Sequence, residues 1–382
     1  MSLIRKSLKI TGLALVGGTA ILWALDHFQN KLPEELRGAE DLERRTIDVT
    51  IKQLIADLEN FSKENPGNIV RRDAHAKSHG CVKATFRVHD DLPEHLKVGL
   101  YAKGGSEYKA WIRYSNGAFK PRNDIEWDGR GMSLKILDTP PTARASDTGA
   151  VDQFDMLLVN HPEFFAPDPL DYYDFVKAGI LVGKPGALKR YFLPNLNPFS
   201  WRIRQFFIAQ ENSSRPISSP LTMRYFSMSP YAFGAKQQIK YSAKACDINH
   251  EIIEAKAKED NPNYLRENLK KHLDQAPACF TLMVQVNDGS VSVEDASVHW
   301  SEDAMPFQEI ADIKIPKQDF AKPYNDNFCE HSDFNPARTP EEFKALGGIN
   351  RLRDEVYSAI SAYRHQRNDK SVPDPNLAWD QE

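Results

Sequence analysis

Three residues near the carboxyl end of the chain have a spacing that could serve metal chemistry. Arg353, Tyr357 and Arg364 lie at i, i+4 and i+11, so a helix would carry all three on one face. A guanidinium group fixed beside a phenol favours the ionised phenolate, which is a good ligand for ferric iron. An arginine four residues before a tyrosine is also a common surface arrangement, so the pattern alone does not define a site.

Further polar residues stand next to segments with strand character. His75 comes shortly before one such segment, which places it at the mouth of a sheet rather than on a helix. Ser115 ends a second segment and Asn160 ends a third. A lone histidine is most often a structural residue, and the same alternative holds for each of these side chains.

Short apolar segments predict the sheet that must position these residues. Each segment carries alternating or β-branched apolar residues, and clusters of Gly, Pro, Asn or Asp separate them. Strands this numerous, without a repeat, suggest an antiparallel barrel or a sandwich with helical insertions. The predicted strands are 82–88, 110–114, 133–137, 155–159, 238–245, 280–286 and 310–315.

Apolar residues at helical spacing predict helices around this sheet. A further helix is expected to begin at Thr339, which can cap it, with Pro340 at its first position and Glu342 completing a capping box. The polar, proline-containing tail at 368–382 is expected to be mobile. The other helical segments are 46–63, the helix-and-loop stretch 167–220, and 349–365.

The first 26 residues have the pattern of a membrane anchor. Three basic residues precede an apolar run at 10–25, which is close to the lower limit for a spanning helix. The run also fits a signal peptide, but Leu22 and Trp23 stand where a cleavage site needs small residues. We expect an uncleaved anchor at 1–26, a linker at 27–45 and a main domain on the extracytoplasmic, periplasmic side. The alternatives are a protein that is exported and soluble after cleavage, or a buried N-terminal helix.

The composition is that of an ordinary globular protein of 382 residues with a formal net charge of −4. No basic stripe is interleaved with aromatic residues, which argues against nucleic acid as a partner. The cysteines lack the CxxC and CxxCH spacings of zinc, iron–sulfur and c-type haem sites. We expect them to be thiols, and a disulfide is open only if the domain is exported. They are Cys81, Cys246, Cys279 and Cys329.

Six short motifs follow one another in the order found in the catalase superfamily. Each motif is weak alone, but six in order are specific, and the chain resembles a small member of that superfamily over residues 70–365. The resemblance implies an α+β fold with an antiparallel β-barrel core, helical insertions and C-terminal helices, in one domain at 46–367. The motifs are RxxHAK at 72–77, xxRYS at 111–115, DxRGxxxK at 128–135, NxPxFF at 160–165, FNP at 334–336 and RxxxY at 353–357.

The resemblance also implies a haem b cofactor and a role for each candidate residue. Tyr357 would ligate the iron, and Arg353 would hydrogen-bond its phenolate. On the distal side His75 would transfer the peroxide proton, Asn160 would position the peroxide, and Ser115 would orient the imidazole. The remaining residues would hold the porphyrin: Arg72, Arg113 and Arg364 at its propionates, Phe165 at the distal wall and Phe334 before the proximal helix.

The implied function is a haem-dependent catalase or peroxidase reaction on hydrogen peroxide or organic hydroperoxides, in defence against oxidative stress. One alternative is an isomerase of fatty-acid hydroperoxides, similar to allene oxide synthases, which favour Thr where this chain has Ala74. Another is a haem-binding protein with little turnover. Asp73 also departs from the family, because a small apolar residue is common at that position above the haem. A homo-oligomer is open.

Overall fold

The computed structural model describes residues 34–37, 40–140, 152–213, 217–250 and 261–380. Its largest element is an antiparallel sheet of nine strands. The strands are β1 (Ser78–Val88), β2 (Glu107–Asn116), β3 (Arg130–Leu137), β4 (Gln153–Val159), β5 (Arg224–Phe226), β6 (Tyr231–Phe233), β7 (Gln237–Ala245), β8 (Ala278–Val286) and β9 (Phe307–Ile315). Because β5 pairs with both β4 and β7, eight strands close into a barrel, and β6 adds a short strand beside β7.

The barrel has two different faces because successive side chains of a strand point in opposite directions. Along β2, Ile112 and Tyr114 are buried in the apolar barrel interior, and the intervening Arg113 lies outside it. Antiparallel pairing continues this outer row through Ser133 of β3 and Leu157 of β4. The outer face of β2–β4 is therefore the surface on which a site can be built.

Helices cover that outer face. The α-helices of the described residues are α1 (Leu42–Glu64), α2 (Pro169–Ala178), α3 (Ala187–Phe192), α4 (Ile203–Asn212), α5 (Tyr264–Gln275), α6 (Pro323–His331), α7 (Gly348–Asn368) and α8 (Pro375–Asp380). α1 packs against α2 and α7, and a second apolar core forms between them. Leu54 and Leu58 of α1 meet Val356 and Ile360 of α7 in this core.

The predicted α+β fold with a barrel core is confirmed, and each predicted strand overlaps one of β1–β4 or β7–β9. The helices predicted at 46–63 and 349–365 correspond to α1 and α7. β5 and β6 have three residues each, too few for an alternating pattern to mark them.

The helix predicted to begin at Thr339 is wrong. Only one 3-10 turn forms there, at Glu341–Phe343, with Pro340 and Lys344 in extended conformations on either side. Phe343 is fully buried in the barrel core. Burial of this ring outweighs the local preference of the capping sequence, since tertiary packing commonly overrides propensity.

The tail that was expected to be mobile is instead packed on the barrel as far as residue 380. Trp379 of α8 lies with its ring centroid 5.5 Å from that of Trp111, in an edge-on contact. The indole Nε1 of Trp111 donates a hydrogen bond to the Pro375 carbonyl at 3.0 Å. Ala378 is also buried, so the tail contributes an apolar surface despite its polar composition.

The cysteines expected as thiols form two disulfides, Cys81–Cys329 and Cys246–Cys279, with Cα atoms 5.5 Å apart in each. Residues separated by 248 and by 33 positions are joined, a pairing that sequence spacing cannot reveal. The first of these bonds ties the end of α6 to β1.

No helix in the described part of the chain is long and apolar enough to cross a membrane. The anchor predicted at 1–26 lies outside the described residues, as do residues 27–33 of the predicted linker. The end of that linker belongs to α1, which begins at Leu42.

Candidate active site

A cavity of about 530 Å³ lies between the outer face of β2–β4 and helices α2, α3, α4 and α7. Its size and mostly apolar lining are typical of a site for a small molecule or a cofactor. Ser115 and Asn160 do not line it, although Ser115 lies on β2 and Asn160 directly follows β4. The predicted site residues that do line it are Arg72, His75, Arg113, Phe165, Phe334, Arg353, Tyr357 and Arg364.

One face of α7 forms a wall of this cavity. Arg353, Tyr357 and Arg364 lie on that face, as their spacing predicts. The guanidinium carbon of Arg353 is 5.7 Å from the centroid of the Tyr357 ring, and Arg353 Nη1 donates to Ser229 Oγ at 2.9 Å. Burial lowers the pKa of Arg353, but interactions with nearby phenols, chiefly those of Tyr357 and Tyr231, together raise it by more. The pKa of Arg353 therefore lies above that of a free arginine side chain. A permanent positive charge therefore stands beside the Tyr357 phenol.

His75 enters the cavity from the segment before β1 in an unusual backbone conformation. Its φ is 55°, in the left-handed region that residues other than glycine seldom adopt. Its N–H donates to the Gly117 carbonyl at 3.0 Å, and its carbonyl accepts from Arg113 Nη2 at 2.8 Å. Strain of this kind persists only where the surroundings enforce it, and it is concentrated at functional sites.

The imidazole of His75 has room because residue 131 is a glycine. His75 Nδ1 lies 3.0 Å from Ser115 Oγ, and Ser115 is paired with Gly131 across β2 and β3. A Cβ atom on residue 131 would lie 2.6 Å from His75 Nδ1 and 2.9 Å from Ser115 Oγ. The glycine is part of the motif at 128–135, but only the strand register shows what it is needed for.

The charge state of His75 follows from its surroundings. Burial lowers the pKa of His75 to about 3, and repulsion from Arg113, Arg353 and Arg72 acts in the same direction. The imidazole is therefore neutral at neutral and mildly acidic pH. Because Nδ1 is engaged by Ser115, Nε2 is the nitrogen that can exchange a proton in the cavity.

Arginines form a cluster at another part of the cavity. Arg72 Nη2 donates to the carbonyls of Cys329 and Ser332, at 3.3 and 2.5 Å, and Arg364 Nη2 donates to the Glu330 carbonyl at 2.7 Å. The Glu330 carboxylate lies 3.8 Å from Arg72 and 3.4 Å from Arg364. Burial and repulsion from Arg72 lower the pKa of Arg364 to about 9. The segment at the end of α6 thus holds this cluster in place.

Three buried nitrogen atoms of the cluster have no hydrogen-bond partner within the described residues: Arg72 Nη1, Arg113 Nε and Arg364 Nε. Buried polar groups are nearly always hydrogen-bonded, so cationic donors left in this state suit an anionic ligand. Haem b has two propionates, a large apolar ring and an iron that a phenolate can ligate. The cavity therefore fits haem b: its arginines suit the propionates, its apolar lining suits the ring, and Tyr357 suits the iron.

The side chain of Asn160, which was predicted to position a peroxide, is hydrogen-bonded to residues 130 and 212 and does not line the cavity. Its Oδ1 accepts a hydrogen bond from the Arg130 N–H at 2.6 Å, and its Nδ2 donates to the Asn212 carbonyl at 3.0 Å. The carboxamide that lines the cavity is that of Asn212, whose Oδ1 is buried without a hydrogen-bond partner in the part of the chain that the structure describes. Asn160 therefore ties the end of α4 to the start of β3.

Sequence reasoning missed further residues of the site. Tyr172 of α2 and Asn212 of α4 line the cavity, and Glu330 of α6 organises the arginines. None of them belongs to a recognisable motif, so no signal in one sequence marks them. Asp73 also lines the cavity, and burial raises the pKa of its carboxyl to about 6.

The barrel and cavity define a class of β-barrel protein with a site for a large, mostly apolar and anionic cofactor. The sequence model of the family described as Catalase matches residues 43–344, and the chain belongs to the catalase family. Proteins of this family bind haem b with its iron. The matched range includes His75 and Ser115 and ends before α7, so Tyr357 is placed by the structure and not by this match.

Individual relatives agree with the family. The chain is 32% identical over 124 residues to a catalase of the Onchocerca volvulus endobacterium, and 31% identical over 124 residues to catalase A of Pseudomonas putida. Each alignment covers 32% of this chain and 23% of the relative, so less than a quarter of those relatives is matched. The structure of catalase A from Saccharomyces cerevisiae is similar in fold, with a TM-score of 0.61 at 19% identity, covering 91% of this chain and 72% of that one.

The Cys81–Cys329 disulfide should govern how firmly haem is held. It fixes the segment whose carbonyls accept from Arg72 and Arg364, so the double replacement of both cysteines by serine should speed haem loss several-fold. The matched control is the Cys246–Cys279 pair, which is removed by the same substitutions but does not contact the arginines. Transfer of haem to apomyoglobin measures both rates, and equal rates for the two variants would contradict this role.

Proposed function

We propose that the chain is a haem-dependent enzyme that consumes hydrogen peroxide or organic hydroperoxides by a catalase or peroxidase reaction. The observation that carries this proposal is one cavity that combines a neutral imidazole, an arginine-flanked phenol and buried guanidinium groups suited to carboxylates. Family membership supports an oxidoreductase that acts on peroxide. When bound, haem would supply the redox chemistry, and the protein would bind, orient and transfer protons.

His75 is proposed as the distal acid–base group. Its neutral Nε2 would accept a proton from one peroxide oxygen and return it to the other, while haem, when bound, would supply the electrons for breaking the O–O bond. Ser115 would keep Nδ1 occupied and hold the ring in orientation, at the 3.0 Å separation described above. Asn160 is proposed to position the peroxide, a role that requires its carboxamide, now hydrogen-bonded to Arg130 and Asn212, to reach the cavity.

On the proximal side, Tyr357 is proposed to ligate the iron as a phenolate, and the Arg353 cation would stabilise the negative charge on its oxygen. The remaining predicted residues would bind the porphyrin. The arginines at its propionates are Arg72, Arg113 and Arg364, and the aromatic residues at its ring are Phe165 and Phe334.

The proposed location is the extracytoplasmic face of a membrane. Two disulfides in one domain support an oxidising compartment, because such bonds are rare where thiols are kept reduced. The anchor at 1–26 and a homo-oligomeric state remain predictions. The isomerase alternative gains no support at the cavity, where Ala74 supplies no hydroxyl beside His75.

Gly131→Ala tests the distal mechanism. The added methyl group must displace the His75 ring, so we expect the rate of peroxide consumption per bound haem to fall about 100-fold, the scale of a lost acid–base group. His75→Ala should cause a similar loss. The matched control is Gly129→Ala, two residues earlier and just before β3, where the nearest atom to a new Cβ is 3.5 Å away. Haem content and circular dichroism check folding, and full activity in both distal variants would overturn the mechanism.

The low pKa of His75 predicts an unusual pH profile. The profile is best measured in Asp73→Asn, because the native carboxyl has a pKa raised to about 6 and would itself titrate. With a His75 pKa of about 3, the imidazole stays neutral as the pH falls from 7 to 5, and the rate should stay constant. A histidine with an ordinary pKa near 6.5 would lose about 25-fold of its neutral form over this range. A loss of that size would show that His75 is not the group described.

A further inference from the structure

Large apolar side chains are concentrated on one exposed surface next to the cavity. Of fourteen such side chains exposed in the described residues, eight lie between residues 188 and 207. We call them the 188–207 surface: Leu188, Leu193, Leu196, Phe199, Trp201, Ile203, Phe206 and Phe207. Phe199 is 85% exposed and Leu196 is 77% exposed, which is unusual for residues that stand so close together. Contiguous apolar patches of this kind mark interaction sites.

The 188–207 surface is built as an ordered unit. Trp201 Nε1 donates to the Asn195 carbonyl at 3.0 Å, and the Arg202 N–H donates to the Phe192 carbonyl at 2.9 Å. The rings of Phe192 and Phe206 meet edge-on with centroids 5.3 Å apart, which joins α3 to α4. The exposed Ile203, Phe206 and Phe207 recur at helical spacing, so α4 turns an apolar face outwards.

The same surface borders the mouth of the cavity. Leu188 and Phe206 both line the cavity and are strongly exposed, at 61% and 41%. Ala209 and Gln210 of α4 line the cavity as well. Apolar side chains of the 188–207 surface therefore form part of the cavity wall, where an apolar molecule on that surface would meet the cavity.

The segment that forms this surface is basic, although Lys177, Lys184, Arg202 and Arg204 are each paired with a carboxylate from another segment. Residues 175–210 contain six lysines and arginines and no aspartate or glutamate, in a chain with 53 acidic residues and a net charge of −4. Lys189 and Arg190 are exposed directly beside Leu188. The Arg190 guanidinium donates only to the carbonyls of Pro185 and Ala178 among the described residues, so no carboxylate there neutralises it. Basic and apolar side chains interleaved in this way suit an anionic bilayer surface.

The start of the described chain lies on the same side of the molecule. Glu35 Oε1 is 2.7 Å from Lys177 Nζ and also accepts a hydrogen bond from the Tyr173 hydroxyl. Lys177 is near the end of α2, two residues before the segment that leads to α3. The apolar run at 10–25 ends ten residues before Glu35. A membrane contact made by that run would place the 188–207 surface near the same bilayer.

We propose that the 188–207 surface docks on an anionic phospholipid bilayer, with its apolar side chains among the acyl chains and the cavity mouth open towards them. Trp201 would lie at the headgroup level, where its ring and its N–H are both accommodated. This assignment rests on the proposed function: the substrates that the surface selects are then hydroperoxides of membrane lipids.

Site-directed spin labelling of the full chain tests the docking. The four native cysteines are paired, so Phe199→Cys provides a single thiol for a nitroxide label. With vesicles of phosphatidylcholine and phosphatidylglycerol in equal parts, power saturation with oxygen and a water-soluble nickel complex should place the label roughly 5–10 Å below the phosphates. Leu196→Cys gives a second label on the same surface. Leu377→Cys is the matched control, because Leu377 is 66% exposed but lies on α8, and its label should stay in water.

Two results would overturn the proposal. Labels at 196 and 199 that remain accessible to the nickel complex in the presence of vesicles would show that the surface does not enter the bilayer. Labels already shielded in buffer without vesicles would show that protein covers the surface, either a second copy of the chain or its own first 33 residues. The measurement needs neither haem nor turnover, so its failure would leave the proposed peroxide chemistry untouched, and inactivity towards peroxide would leave the measured depth unchanged.

Discussion

The burial of positive charge against the barrel is the constraint on which the site depends. Arg72, Arg113 and Arg364 are withdrawn from water, and a buried charge is costly unless hydrogen bonds or an opposite charge compensate for it. The end of α6 supplies carbonyls and the Glu330 carboxylate, yet some guanidinium nitrogens stay without partners in the described structure. The carboxylates of haem would complete this set of interactions. Haem binding is therefore expected to stabilise the contact between α6 and the barrel, and a weakened contact is expected to weaken haem binding.

The distal side of the site depends on the alternation of side chains along the barrel strands, in which every second residue points to the same face. Arg113 and Ser115 point to the outer face from β2, and pairing with β3 places Gly131 opposite Ser115. The absence of a side chain at Gly131 lets the His75 ring approach the strands, and the hydrogen bond to Ser115 then fixes it. The proximal side is built independently, because α7 brings Arg353 and Tyr357 to the same cavity from a helix. The long helix thus holds Tyr357, while His75 lies in the segment before β1 and is fixed there by its contacts with β2 and β3.

The parts of this arrangement that the sequence predicts are those with a local signal. Long strands and long helices can be predicted because their apolar residues recur at a regular spacing in the sequence. Eight of the ten predicted site residues do line one cavity. The wrong predictions fall where contacts between distant parts of the chain determine the local structure. Phe343 is buried in the barrel core, although the sequence just before it favours the start of a helix. Trp379 packs against Trp111 and so holds the polar tail on the barrel. The disulfides and the role of Glu330 depend on segments far apart in the chain, and the engagement of Asn160 depends on where α4 ends.

Optical absorption and resonance Raman spectra of the haem-loaded ferric protein test the central claim, ligation of the iron by the Tyr357 phenolate. The cavity contains a second phenol, Tyr172, which makes Tyr172→Phe a matched control for Tyr357→Phe. We expect phenolate vibrations and the corresponding charge-transfer absorption in the native protein and in Tyr172→Phe, and their loss in Tyr357→Phe. An unchanged spectrum in Tyr357→Phe would show that another residue ligates the iron and would contradict the account.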